Sequence, residues 1–261
     1  MFVNADIRAE LAKLLPYGLL AARSWLMDKG LSRHGLDNLL KSGQLVSLAP
    51  GVYKRPETTL KWQGLVSSLQ RMGNDLLVGG ISALELQGHS HYLSLSSLRT
   101  VHLYGYDPLP SWANKVDLAE TFKWHGNARL WTAVNNKELK PDFSIDLSWG
   151  DQSAPLKASS SERAICELLV DVPEKVSFEH AEQLMQGLVS LSPRRLDAIL
   201  HQLKHVKAKR LFFWLAQRQG HAWFKKLDPA SFDLGHGKRV VAKGGKLDRK
   251  YLITVPENMH E

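Results

Sequence analysis

Residues 32–56 read SRHGLDNLLKSGQLVSLAPGVYKRP, and this stretch leaves few folds open. Ser32 is placed as a helix N-cap. Leu36, Leu39 and Leu40 fall on one side of a wheel turning about 100° per residue, and Gly43 stands where a helix would close. A helix is therefore predicted over 33–42. Two β-rich runs follow, 45–48 and 52–54, joined by Ala49-Pro50-Gly51. Proline fixes φ at the first central position of a type II turn and glycine supplies the positive φ at the second, so the pair predicts a tight hairpin. Two more helices are predicted upstream. The first covers 4–15, with Asn4 as cap and Ile7, Leu11, Leu14 and Leu15 inward; Pro16-Tyr17-Gly18 ends it. The second covers 19–29, with Leu19, Leu20, Ala22, Trp25 and Leu26 inward and Gly30 just past its end. Three helices and a small hairpin are the parts of a winged helix-turn-helix.

The rest of the chain has another texture. A linking helix is predicted over 58–72, a strand over 76–78, and a short helix over 81–87 after Gly79-Gly80. Strand-like runs occupy 99–104, 113–118, 128–134 and 143–149. Beyond Pro155 the pattern turns helical. Ser159 and Glu162 have capping-box spacing for a helix reaching about Val170, and helices are predicted over 177–190, 192–203 and 207–219. A last hairpin is expected within 235–255, residues 239–242 against 251–255 across Gly244-Gly245. The expected fold class is α+β. A winged helix-turn-helix domain spans 1–56, and a larger mixed α/β carboxy-terminal domain spans 57–261, ending in a helical, basic region from 201.

Charge sorts the chain further. Its net charge is +8, but residues 1–55 carry +4, residues 56–200 carry −4 and residues 201–250 carry +10. Two basic ends flank an acidic middle, and either end would draw a polyanion by counterion release. No apolar run reaches the ~18 residues of a membrane span. The start, MFVNADIRAE, has two acids and no apolar block, unlike a secretory signal. Cys166 is the single cysteine, so no intrachain disulfide forms. These features suit a cytoplasmic protein with no membrane partner.

On the helix over 33–42, His34, Asn38 and Lys41 lie opposite the leucines, and Arg33 sits in the first turn. The amino-terminal part of a recognition helix faces base edges. Arginine can fork onto guanine and asparagine onto adenine, so Arg33 and Asn38 are the expected base readers, with Lys41 on phosphate. Asp37 would repel phosphate unless it accepts from a cytosine amine or pairs with Arg33 or Lys41. Lys54 and Arg55 leave the hairpin where a wing contacts the DNA backbone. The expected partner is duplex DNA; a protein-docking role for the same module stays open.

The basic tail offers a second candidate surface, for RNA or for a partner protein: Lys204, Lys207, Lys209, Arg210, Lys238, Arg239, Lys243, Lys246, Arg249 and Lys250. Aromatics interleave with it. Phe212, Phe213 and Trp214 read as core, whereas Trp223 and Phe224 beside Lys225 and Lys226 would also suit base stacking.

Enzyme signatures fall short. Asp117, Asp142, Asp146 and Glu162 lie on or near expected strands, but Arg163-Ala164 replaces the x-Lys of a restriction-type nuclease; a metal-dependent nuclease is the alternative from another class. His201 and His205 stand four apart on an expected helix, with Gln202 where a zinc hydrolase has glutamate. They read as solvated or facing nucleic acid. His89 and His91 read as loop residues and Cys166 as core. Gly235-His236-Gly237-Lys238 fails the phosphate-loop pattern because Arg239 replaces Ser or Thr. Gly79-Gly80 before a helix could hold an anion, with a tight strand–helix turn as the simpler account. No catalytic residue, metal or cofactor is expected.

With these residues in view, the chain resembles the AbiEi antitoxins of type IV toxin–antitoxin (abortive-infection) systems. The likeness rests on residues 32–56, on VGGISALELQGHSHY (78–92) with SSSERAICELL (159–169), and on DLGHGKRVVAKGGKLDRKYLITVP (233–256). It implies a non-enzymatic regulator in two parts. The winged helix would bind inverted repeats in its own promoter and repress it. The carboxy-terminal domain would counter a co-encoded nucleotidyltransferase-like toxin, without a stable complex. A plain winged-helix regulator with no toxin is the remaining reading.

Overall fold

The computed structural model describes residues 2–89, 99–132, 143–150 and 154–260, and side chains from residue 8 onward. The expected cap Asn4, the inward Ile7, and His91 and Asp142 lie outside the described side chains.

The first unit runs α1 (Phe2–Leu14), β1 (Leu20–Ala22), α2 (Arg23–Asp28), α3 (Arg33–Lys41), β2 (Val46–Ala49) and β3 (Val52–Lys54). Ser32 caps α3 as expected, its hydroxyl accepting the Gly35 N–H at 3.0 Å. Leu36 and Leu39 bury themselves with Leu11, Leu15, Leu26 and Leu45 in a small core. Gly51 takes the positive φ, 72°, that the hairpin turn needs.

The second expected helix is a strand and a shorter helix. Residues 20–22 pair antiparallel with 52–54, so β3 is the centre of a three-stranded sheet ordered β1-β3-β2. Alanine favours helix, but β3 has two edges to satisfy, and Leu20 and Ala21 are buried in pairing with one of them. The helix then starts at Arg23, whose N–H donates to the Gly51 carbonyl at 2.7 Å.

The linking helix α4 (Trp62–Arg71) starts later than expected and faces both units. Ser68 Oγ accepts the Leu20 N–H, and Arg71 donates to the Leu14 carbonyl. Beyond it come β4 (Leu76–Val78), α5 (Gly80–Leu86), β5 (Thr100–Gly105), β6 (Thr121–Gly126), α6 (Asn127–Leu130), β7 (Ser144–Leu147) and β8 (Leu156–Ser159). Their sheet is ordered β6-β5-β4-β8-β7, with β5–β6 and β4–β8 parallel and the other pairs antiparallel. Four helices follow: α7 (Ser161–Leu169), α8 (Phe178–Gly187), α9 (Pro193–Gln202) and α10 (Val206–Gln219). Helices α7 and α10 are buried along most of their length.

Several expected strands are corrected. Residues 113–115 form a 3-10 turn, and the strand is β6, at 121–126. The run 128–134 is helical to Leu130, and only Trp131 bridges, to Leu203; 133 and 134 lie outside the described residues. Strand β8 was not expected, because Lys157, Ala158 and Ser159 carry no β-branched signal; its place between β4 and β7 decides it. The capping box also fails. Ser159 belongs to β8, the N-cap of α7 is Ser160, and Ser160 makes no side-chain cap bond.

At the carboxy terminus the hairpin pairs β9 (Lys246–Asp248) with β10 (Ile253–Val255), not residues 239–242 with 251–255. Residues 239–242 lie beside β10 instead. Arg239 and Ala242 donate their N–H groups to Leu252 and Thr254, and Arg239 bridges Ile253 in parallel.

Candidate nucleic-acid interface

Burying Leu36 and Leu39 turns the opposite side of α3 to solvent. Arg33, His34, Asn38 and Lys41 are all exposed there. The Asn38 amide donates to His34 Nε2 at 3.0 Å across one helical turn, which orients both side chains before any ligand arrives. The Asp37 carboxylate pairs with Arg23 at 2.8 Å, neither with Arg33 nor with Lys41. An acid that would repel phosphate is thus answered from the preceding helix. No local spacing signals this pair, because its members lie 14 positions apart on two different helices.

The cations at the exit of β3 are anchored. Lys54 Nζ donates to the Thr58 carbonyl at 2.6 Å. The Arg55 guanidinium lies 3.8 Å over the Tyr17 ring and donates to its hydroxyl at 3.0 Å. Both stay partly exposed at the end of β3.

The tail divides. Lys209 and Arg210 are 4% and 1% exposed, which removes them from any nucleic-acid surface. Lys209 Nζ donates to the Asp233 carbonyl, and the Arg210 guanidinium donates to the carbonyls of Leu234, Gly235, Gly237 and Leu252. The loop considered for phosphate therefore turns carbonyls toward a protein cation. Lys204, Lys238, Arg239, Lys243, Lys246, Arg249 and Lys250 are exposed, and Lys207 is half-buried. Lys207 donates to the Val172 carbonyl and Glu174, Lys246 pairs with Glu257, and Lys250 bonds Gln217. Phe212, Phe213, Trp214 and also Trp223 are core.

Among the described residues, the acids of the nuclease alternative do not converge. Asp117 is exposed, Asp146 faces Lys157 at 3.7 Å, and buried Glu162 accepts the Ser192 N–H. His201 and His205 do not share a helix. His201 is on α9, while His205 caps α10, accepting the Ala208 N–H. His89 bonds Ser161 at 3.0 Å, and Cys166 is buried, which pushes its thiol pKa up.

One cluster escaped the sequence. Parallel β5 and β6 pair Tyr104 with His125 and His102 with Lys123. His102 Nδ1 and His125 Nε2 stand 3.0 Å apart, and the Tyr104 ring stacks on His125 at 4.4 Å. With Asp171 these histidines are the one group among the described residues with metal-ligand geometry. Lys175 already occupies the Asp171 carboxylate at 2.9 Å. Burial, His102 and nearby cations hold the His125 pKa down at about 4. The histidines lie 23 positions apart, so only strand register reveals them.

Beside this cluster Arg163 and Glu167 form an ion pair at 2.7 Å, 2% and 0% exposed. Glu167 also accepts from the Ser159 hydroxyl at 3.1 Å and the Gly80 N–H at 2.9 Å. The anion at the Gly79-Gly80 turn is thus the protein's own. Gly79 is required there, since a Cβ would run into Tyr104 and Glu167.

Residues 5–95 match the family model described as "Transcriptional regulator, AbiEi antitoxin N-terminal domain", and residues 99–256 match "Transcriptional regulator, AbiEi antitoxin, Type IV TA system". Among solved structures, the chain is similar to the RV2827C protein from Mycobacterium tuberculosis, at 16% identity and a TM-score of 0.53. The alignment covers 95% of this chain and 89% of that one. That likeness is one of fold. A search of curated proteins found no match. No helix among the described residues is long and apolar enough to cross a membrane.

Proposed function

The chain belongs to the AbiEi antitoxin family of type IV toxin–antitoxin systems, and from that premise we propose that it represses its own promoter by binding inverted repeats in duplex DNA through α3. Residues 1–56 form the DNA-binding domain in this reading, and residues 57–261 the antitoxin domain. Arg33 and Asn38 reach base edges, His34 orients Asn38, and Lys41, Lys54 and Arg55 meet the backbone. The observation that carries it is the exposed row Arg33, His34, Asn38 and Lys41 on a helix whose single acid is neutralised by Arg23. The test is fluorescence anisotropy on the DNA upstream of the protein's own reading frame. Saturable binding that is selective over scrambled DNA is expected. Unchanged operator affinity in Arg33→Ala overturns this placement of the recognition helix.

The second role is to counter a co-encoded nucleotidyltransferase-like toxin through the carboxy-terminal domain, in the cytoplasm and without catalysis. Family membership supports it, together with the eight tail cations that stay at least partly exposed. Co-expression with the neighbouring reading frame tests it: growth should be rescued by the full chain and equally by a chain unable to bind the operator. Failure of the full chain to rescue growth overturns the antitoxin role and leaves a regulator alone.

A further inference from the structure

At the carboxyl ends of the parallel strands β5 and β6 lies a cavity of about 670 Å³ that operator binding does not use. Open sheets leave a crevice outside strand ends, and cavities of a few hundred Å³ hold molecules of nucleotide size. Here Tyr104, Tyr106, Trp124 and His125 line it. Two polar atoms of the lining residues, Trp124 Nε1 and Tyr106 Oη, are buried and have no hydrogen-bond partner among the described residues. Buried donors are ordinarily paired, and both orphans belong to residues of this one cavity wall. The carboxylate in the wall, Glu167, is already answered by Arg163.

The cavity continues into charge. Arg129 and His205 line it and also a neighbouring hollow of about 520 Å³, whose walls include Lys204, Lys207 and Arg239. The two lysine ammoniums are held by the carbonyls of Ala128 and Val172. Arg129 and Arg239 are exposed, and neither makes an ion pair or a side-chain hydrogen bond among the described residues. An aromatic chamber with unpaired donors thus opens onto two uncommitted guanidiniums. Stacking surfaces take bases, and arginine forks take phosphates.

We propose that this cavity binds a nucleotide, its base among Tyr106, Trp124 and the Tyr104–His125 stack and its phosphate on Arg129 and Arg239, whether the nucleotide is free or ends a single-stranded RNA. The site is separate from α3 and does not depend on the operator reading.

The test is calorimetric titration of the full chain with the four ribonucleoside triphosphates, AMP, ribose 5-phosphate and a short 5′-phosphorylated RNA. At least one nucleotide or the RNA should bind saturably, and ribose 5-phosphate at least about tenfold more weakly, because it lacks the base. Arg129→Glu should weaken that binding on the order of tenfold or more, with the thermal unfolding temperature and operator affinity unchanged. Trp124→Phe keeps a stacking face but loses the indole N–H, so binding should fall or base preference should shift. Displacement of the RNA by a mononucleotide identifies the strand end as its bound part. Binding of RNA without any mononucleotide competition assigns the site to a strand end alone. Three results overturn the proposal: no saturable binding, equal binding of ribose 5-phosphate, or binding indifferent to both Arg129→Glu and Trp124→Phe.

Discussion

Glu167 accepts the Gly80 N–H at 2.9 Å with one carboxylate oxygen while its other oxygen pairs with Arg163 at 2.7 Å. One side chain thereby ties α7 to the start of α5 and to β8, through the Ser159 hydroxyl. Breaking a buried pair by removing one partner costs about 3–5 kcal/mol, whereas replacing both by apolar groups of similar size is often near neutral. Glu167→Ala should therefore lower stability by that order. Joint replacement by Arg163→Met and Glu167→Leu should recover a substantial part. Denaturant unfolding of the three chains decides this, and a double variant no better than Glu167→Ala refutes it.

Arg210 is a second fastening point, and only its guanidinium shape explains it. Four carbonyls from two loops converge on three nitrogens of one side chain. Lysine offers a single ammonium and cannot reproduce that fan. Arg210→Lys should destabilise the chain by about 1–3 kcal/mol, the cost of leaving buried acceptors unmet. Faster amide exchange should be confined to residues 233–239 and the β10 edge. A lysine variant with wild-type exchange in that loop refutes the assignment.

The histidine pair sets a pH dependence. His125 has its pKa lowered from 6.5 to about 4, first by burial and then by His102 and by Lys123 and Lys175; Asp171 works the other way. His102 is also lowered, chiefly by burial. Between about pH 6.5 and about pH 4 the unfolded chain takes up a proton at His125 that the folded chain refuses, so this residue makes stability fall as pH falls. Buried Glu167, raised by desolvation, contributes with the opposite sign in an overlapping acid range. The difference between wild type and His125→Gln isolates the histidine. That difference should shrink from pH 7 toward pH 4, and a difference constant across the window refutes the claim.

What was legible in the chain was local. The Ser32 cap, the leucine spacing of α3 and the Pro50-Gly51 turn lie within about two turns of the residues they organise, and each formed as read. The family resemblance was legible as well, in stretches that fall within the matched residues. Strands β1 and β8 were not legible, because Ala21, Ala22, Ala158 and Ser159 lack strand propensity and only their neighbours make them strands. The interior cations failed for a related reason. Lys209 and Arg210 count as charge in a sequence, and only the carbonyls of a distant loop mark them as buried struts. The cavity depends on parallel pairing of two strands, which no local pattern announces.

The Arg23–Asp37 pair supplies the last expectation, and it concerns DNA. Arg23 neutralises the acid on the face of α3, although it belongs to the helix before it. With α3 on DNA as proposed, Arg23→Ala would leave Asp37 unpaired beside the phosphates, so operator affinity should fall even if Arg23 itself never touches DNA. Asp37→Asn in that background should restore it, because the repelling charge is gone. Arg33→Ala should cost about 1–3 kcal/mol and relax the choice at one base. Lys41→Ala should weaken all duplexes alike and flatten the salt dependence by about one unit. Anisotropy titrations at several salt concentrations separate these outcomes. Failure of Asp37→Asn to rescue would mean that Arg23 contacts the operator directly. A sequence-selective loss in Lys41→Ala would move that lysine from the backbone to a base edge.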